Sequence, residues 1–228
     1  MEQLIKFLAT VPLFSELEDT DLERISQVAS VQKYHKDNII LIEEEVGTTM
    51  FIIISGKVKI SRISDDGREV ILSILSEGDF FGEMSLLDGQ TRSANVTAIE
   101  ESELLMLRRE DFLQMLYDYP QIAVNLLKEL AQRIRKSDEQ IKSLSLQDAT
   151  GRVASTILRI AEDSGIFRKG IVEISNLPLQ QDLANMAGTS RETISRVIKS
   201  LCQDGLLQKE GNKILILDYE KFKLMFSK

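Results

Sequence analysis

The sequence holds one cysteine and one histidine in 228 residues. A single cysteine excludes an internal disulfide, and it excludes any four-cysteine zinc or iron–sulfur site within one chain. Cys202 sits on the apolar side of a helical pattern and reads as packing. The lone histidine, His35, reads as a surface strand residue and supplies no ligand set for a metal. There is no Ser-His-Asp set, no metal-ligand spacing and no Walker loop, so an enzyme is not expected. The acids Glu43, Glu44 and Glu45 fall in a turn region and read as solvated. No apolar run approaches the ~18 residues of a membrane span. The longest, "IILI" from Ile39 and "MFIII" from Met50, read as buried strands. The start "MEQLIKFLATVPLF" carries Glu2 and no basic stretch, so no secretory signal is expected. These absences lead to the expectation of a cytoplasmic protein with no membrane partner and no metal.

What is present is unevenly charged. The chain carries a net charge of −8, but residues 1–148 hold 16 Lys+Arg against 27 Asp+Glu, and residues 149–228 hold 12 against 9. The first part is therefore at −11 and the second at +3. Only the smaller, basic part is suited to attract phosphates. The length suggests two domains.

The pattern along the chain divides accordingly. "SELEDTDLERISQVAS" predicts an amphipathic helix with Ser15 as its capping start and Leu17, Leu22, Ile25 and Val28 on one face. From Val31 to Leu107, short β-rich runs ("NIILI", "MFIIIS", "KVKISRI", "EVILSIL", "SANVTAI", "ELLMLR") alternate with turn signals such as "DDG" and "SEGD". That spacing predicts a small antiparallel roll. A long helix is expected from Pro120 to about Leu146. Along it Leu127, Leu130, Ile134, Ser137, Ile141 and Leu144 step by 3, 4, 3, 4 and 3, the seam of a coiled coil. So narrow a stripe predicts a partner helix, hence a homodimer with Leu127, Leu130, Ile134, Ile141 and Leu144 at its interface; the competing reading packs the stripe on its own roll. Asp148 or Thr150 can cap the next helix and Gly165 can stop it. "LLQKEGNKILIL" predicts a hairpin turning at Gly211-Asn212.

The most specific signal is "PLQQDLANMAGTSRETISRVIKSLCQDGLL". A first helix after Pro178 carries Gln181 and buries Leu183, Ala184, Met186 and Ala187, and Gly188 ends it where a left-handed residue is wanted. Ser190 caps a second helix, with Thr193 three residues on. Ile194, Val197, Ile198 and Leu201 form the buried face, leaving Arg191, Glu192, Ser195, Arg196 and Lys199 outward. This is a helix-turn-helix with the side chains of a recognition helix. Arginine is matched to guanine O6/N7, Glu accepts from cytosine N4, and Ser can touch a thymine methyl or a phosphate.

The order of roll, long helix and winged helix-turn-helix resembles the CRP/FNR (cyclic-AMP receptor/fumarate-nitrate regulator) family of bacterial transcription factors over nearly the whole chain. "GEMSLLDGQTRSA" looks like that family's phosphate-binding cassette, and "TSRETISRVIKSL" like its recognition helix. The resemblance implies an α+β fold: a jelly-roll-like, cyclic-nucleotide-binding β-roll over 1–118, a dimerisation helix over 119–147, and a winged helix-turn-helix over 148–228. It also implies double-stranded DNA with an inverted-repeat site, and RNA polymerase, as partners. The half-site suggested by Arg191-Glu192 and Ser195-Arg196 resembles TGTGA, with a T-rich variant possible because of Ser195.

The chemistry of the cassette agrees. A short helix from Glu83 offers free backbone N–H groups to an anion, Arg92 brings a planar fork matched to phosphate oxygens, and Ser93 adds a hydroxyl. Glu83 would repel a phosphate and suits a ribose hydroxyl. These groups describe a ribose carrying a cyclic phosphodiester. By resemblance Gly82, Met84 and Ser85 belong to the same cassette, and Arg133 and Ser137 complete the pocket from the long helix. One departure affects the base: where two adjacent hydroxyl residues are the family pattern, Ser137 is followed by Asp138. An aspartate accepts from an adenine amine and equally from guanine N1 and N2, so cyclic AMP is favoured and cyclic GMP is possible. The family's iron–sulfur and haem sensors need ligands this chain does not supply.

Overall fold

The computed structural model describes residues 2–226. It divides into two units, the first running to Ile134 and the second starting at Arg135.

The first unit opens with α1 (Glu2–Thr10), a 3-10 turn at Pro12–Phe14 and α2 (Asp19–Val28). The strands follow: β1 (Ser30–Tyr34), β2 (Ile39–Leu41), β3 (Thr49–Ser55), β4 (Val58–Ile63), β5 (Glu69–Leu75) and β6 (Phe80–Phe81). After the short α3 (Met84–Asp88) come β7 (Asn95–Ala98), β8 (Ser102–Arg108), α4 (Arg109–Asp118) and α5 (Pro120–Leu146), whose last turns belong to the second unit. Two antiparallel sheets, in the orders β1-β8-β3-β6 and β2-β7-β4-β5, form the roll. β3 is apolar along its length because both of its faces are covered. Successive strand side chains point to opposite faces: Phe51 and Ile53 pack inside the roll with Val58, Phe81, Val96 and Leu104. Met50 and Ile52 pack outward against a helical layer that includes Leu8, Leu22, Phe112, Ile122 and Leu126.

The second unit holds α6 (Ala149–Ser164), β9 (Ile166–Arg168), β10 (Ile171–Ile174), α7 (Gln180–Ala187), α8 (Arg191–Gln203), β11 (Leu207–Glu210), β12 (Lys213–Ile216) and α9 (Tyr219–Phe226). Its sheet runs β11-β12-β10-β9. Asp148 caps α6 by accepting from the Gly151 N–H at 2.8 Å, and the β11–β12 hairpin turns at Gly211-Asn212 as expected.

Some expectations are corrected. Ser15 does not start a helix: its hydroxyl donates back to the Pro12 carbonyl at 3.0 Å and closes the 3-10 turn, so α2 begins at Asp19. Glu43 is not merely solvated, because it pairs with Arg62. Cys202 is half-buried. The elements α1, α4, α9, β1 and β6 have no counterpart in the sequence reading; β1 shows no inward alternation and β6 has only two residues. His35 lies just past β1 and is exposed.

The coiled-coil stripe divides. Leu127, Ile134 and Ile141 are more than 60% exposed. Leu130 packs against the helix-covered core of its own roll. Leu144 lies over Gly188, where an added Cβ would come within 2.9 Å of its Cδ2.

Candidate functional site

The turn after β6 is built around Gly82, whose φ of +81° places it where a side chain is strained. An added Cβ there would also come within 2.9 Å of Arg92 Nη1. The chain then enters α3 through Glu83 and leaves it at Gly89. Arg92 is fixed first by its backbone: its N–H donates to Glu45 O at 2.8 Å and its carbonyl accepts from the Glu44 N–H at 2.9 Å. Its side chain turns inward and is 5% exposed. Nη1 donates to Gly82 O at 2.7 Å and to Ser85 Oγ at 2.8 Å, and Nη2 donates to Thr49 O at 2.6 Å. All three acceptors are neutral oxygens. A guanidinium has five N–H groups, so this one is buried without a carboxylate of its own and with donors to spare. Burial lowers the Arg92 pKa, and the nearby Glu83 and Glu45 carboxylates offset part of that effect.

Glu83 is 2% exposed. Its Oε1 accepts from Arg133 Nη1 at 3.0 Å, and Arg133 also donates to Phe80 O and stacks 4.4 Å above the Phe80 ring. Desolvation raises the Glu83 pKa above the ordinary carboxylate value, while Arg133 pulls it back. The structure therefore brings together Gly82, Glu83, Ser85, Arg92 and Arg133. Met84 and Ser93 lie at the exposed rim, where the Ser93 hydroxyl is 3.7 Å from Met84 Sδ. Ser137 and Asp138 occupy exposed positions on α5 within the second unit.

In the second unit, Gly188 ends α7 in the left-handed conformation, with φ of +58°. Ser190 caps α8 by accepting from the Thr193 N–H at 3.2 Å. Ile194, Val197, Ile198 and Leu201 are buried. Arg191, Glu192, Ser195, Arg196 and Lys199 are exposed on the opposite face, with Thr193 partly exposed. The Glu192 pKa is lowered by its own backbone N–H and by the Ser190 hydroxyl. Gln181 is exposed on α7 and donates to Asn185 Oδ1 at 3.0 Å.

Three contributors escaped the sequence reading. Thr49 lends a carbonyl from β3, and Gly47 leaves the space in which Ser85 and Arg92 meet. Arg152 on α6 donates to Ala187 O at 3.0 Å and to Gly188 O at 3.4 Å, a cation closing the C-terminus of α7. Turn composition was a sequence signal for Gly47 alone, since Thr49 lies on β3 and Arg152 on α6. Among the described residues no group of three or more His, Cys, Asp or Glu could hold a metal ion, and no helix is long and apolar enough to cross a membrane.

Two family models match the chain: a cyclic nucleotide-binding domain over residues 31–119 and a Crp-like helix-turn-helix domain over residues 151–225. The chain is 31% identical over 216 residues to the CRP-like cAMP-activated global transcriptional regulator of Mycobacterium tuberculosis, covering 95% of this chain and 96% of that protein. It is 36% identical over 197 residues to the cyclic AMP receptor protein of Thermus thermophilus, covering 86% and 88%. Among solved structures it is similar to the c-di-GMP responsive global regulator CLP of Xanthomonas campestris, with a TM-score of 0.73 and 26% identity over 87% of this chain and 99% of that one.

Proposed function

The chain belongs to the CRP/FNR family of transcription regulators, and from that membership we propose that it is a homodimeric, cytoplasmic regulator whose grip on DNA is set by a cyclic nucleotide held in the β-roll. Cyclic AMP is the first candidate, with cyclic GMP second. The functional division is 1–118 for effector binding, 119–147 for dimerisation and 148–228 for DNA.

The observation that carries the effector half is the Arg92 guanidinium, buried and bonded only to neutral oxygens. A charge held this way suits an anion more than water does, and each charge-assisted bond to a phosphate contributes ~1.5–3 kcal/mol when shielded. Ser93 and the turn Gly82–Ser85 border the same anion. Glu83, oriented by Arg133, accepts from a ribose hydroxyl. Ser137 and Asp138 are assigned to the base. On the DNA side, Arg191, Glu192, Ser195 and Arg196 read base edges. Gln181, Ser190, Thr193 and Lys199 fix α8 on the backbone. Two copies of α8 about 34 Å apart meet successive major grooves of an inverted repeat. RNA polymerase is the partner on which such a regulator acts.

Calorimetric titration with cyclic AMP and cyclic GMP, paired with a gel shift on an inverted repeat of TGTGA-like half-sites, tests the proposal. Nucleotide is expected to bind, to tighten the DNA complex and to lose at least tenfold in affinity in Arg92→Ala. Arg92 and Glu83 each have protein partners of their own, which favours one alternative: a family member that binds DNA without cyclic nucleotide or senses another effector. Silent titrations beside a positive gel shift would end the cyclic-nucleotide half of the proposal in favour of that alternative.

A further inference from the structure

Within the second unit a cavity of about 240 Å³ lies between the last turns of α5 and the helices α6, α7 and α9. At ~30 Å³ per molecule it has room for about eight waters. It falls below the ~300–1,000 Å³ typical of sites for drug-sized ligands, so an occupant has roughly eight to ten heavy atoms. Its lining includes the apolar Leu158, Met186, Ala187 and Phe226. It also includes the basic Lys136 and Lys142 from α5 and Arg159 from α6.

Arg159, half-buried, shares with Arg92 a guanidinium whose described acceptor is a neutral oxygen. Its described hydrogen bond is to a neutral amide, from Nη1 to Gln140 Oε1 at 2.9 Å, and among the described residues no ion pair is recorded for it. Burial lowers its pKa, with Asp163 and Glu139 offsetting the effect only from a distance. Of the acids nearby, Glu139 lines the cavity without a described ion pair, and the other two are engaged with lysines. Asp163 pairs with Lys136 at 2.7 Å, and Glu162 pairs with Lys223 at 2.8 Å while accepting from the Tyr219 hydroxyl at 3.0 Å. Arg152 is occupied by the carbonyls of Gln147, Ala187 and Gly188. Lys142 makes no described hydrogen bond or ion pair. The lining carries five cations against two carboxylates, Glu139 and Glu162, so its positive charge is not neutralised from within.

We propose that this cavity is a second effector site, taking a small organic acid whose carboxylate meets the Arg159 fork and whose branched apolar body rests on Leu158, Met186 and Phe226. A planar carboxylate satisfies a guanidinium bidentately, which a point-like anion does not. A ligand so placed ties α5, through Gln140 and Lys136, to α6 and to the C-terminus of α7, and so stiffens the support of the helix-turn-helix. The proposal does not depend on the cyclic-nucleotide reading, because none of the cavity's residues belongs to the roll.

The test is calorimetric titration of the full chain with 4-methylpentanoate and with its neutral amide of the same shape, at constant chloride. Saturable binding of one carboxylate per chain is expected, with the amide at least tenfold weaker. Arg159→Gln should weaken the carboxylate at least tenfold, and Lys136→Gln, on the rim, about threefold. A silent carboxylate titration, an amide that binds equally well, or unchanged binding in Arg159→Gln would each overturn the proposal. The ligand pair decides the matter without any variant, so it stands even where Arg159→Gln unfolds early.

Discussion

Gly47 is the position at which the cradle of Arg92 can be probed without touching a charged group. Its backbone is not left-handed, so Gly47→Ala tests space and not conformation. The added Cβ would lie 2.1 Å from Ser85 Oγ, 2.7 Å from Arg92 Cζ and 2.8 Å from Arg92 Nε. Non-bonded carbon contacts relax only near 3.5–4.0 Å, so both side chains must yield. Ser85 can rotate away, but it then gives up the 2.8 Å bond from Arg92. Arg92 is pinned at Gly82 O and Thr49 O and cannot retreat without breaking those bonds. Overpacking costs ~1–3 kcal/mol, and a hydrogen bond to a charged group ~1.5–3. Because the two overlap in cause, a loss of about 2–4 kcal/mol is expected. In a unit of this size that lowers the unfolding temperature by roughly 6–15 °C.

Scanning calorimetry is the assay, with the transition of the first unit expected to move and that of the second to stay. Nucleotide affinity should fall at least tenfold with it. The decisive arm is Ser85→Gly added to Gly47→Ala. It removes the nearest clash and should recover part of both losses, a coupling of ~1 kcal/mol or more. If Gly47→Ala leaves stability and affinity unchanged, or if the two substitutions are strictly additive, Ser85 and Arg92 do not compete for that space and the cradle is not what holds Arg92.

Two further outcomes follow from the site and the seam. Desolvation leaves the folded-state pKa of Glu83 raised, so its contribution to stability is full below the ordinary carboxylate pKa and is lost as pH rises through the raised value. The stability of the wild type relative to Glu83→Gln should therefore decline from pH 4 towards neutrality in paired thermal melts; a difference that grows with pH would mark Glu83 as an ordinary salt-bridged carboxylate. Ile141 is 61% exposed on α5, and Ile141→Asp should shift the protein from dimer to monomer in sedimentation, whereas an unchanged dimer would remove α5 as the interface.

The parts of this protein that were legible in its sequence are those written locally. The helix-turn-helix was readable because its buried face, its left-handed Gly188 and its Ser190 cap all lie within a few residues of what they organise. The apolar runs of the roll were readable as strands, but not all are buried: β3 is covered on both faces, whereas β2, read as a buried strand, leaves Ile39 61% exposed, and β1 was not readable because its residues are mostly exposed. The cassette was legible as chemistry but not as geometry. Arg92 was readable as a cation in search of an anion, yet its acceptor at Thr49 lies 43 residues away in the chain. The same limit explains Arg152 and the cavity around Arg159, whose walls come from four helices and carry no shared motif.

The seam on α5 shows how pattern and packing diverge. Leu127, Ile134 and Ile141 recur every seven residues and stay open, the behaviour of one heptad position. The alternate position is divided: Leu130 packs partly against the core of the roll, Leu144 lies over Gly188 but stays 43% exposed, and Ser137 between them is polar. In the proposed dimer, then, the open row of Leu127, Ile134 and Ile141 supplies most of the apolar contact, and the alternate row adds only what Leu130 and Leu144 leave uncovered. A row with a polar member and half-covered neighbours packs less uniquely than the interlocked double row of a full coiled coil, because knobs on one helix find fewer filled holes on the other.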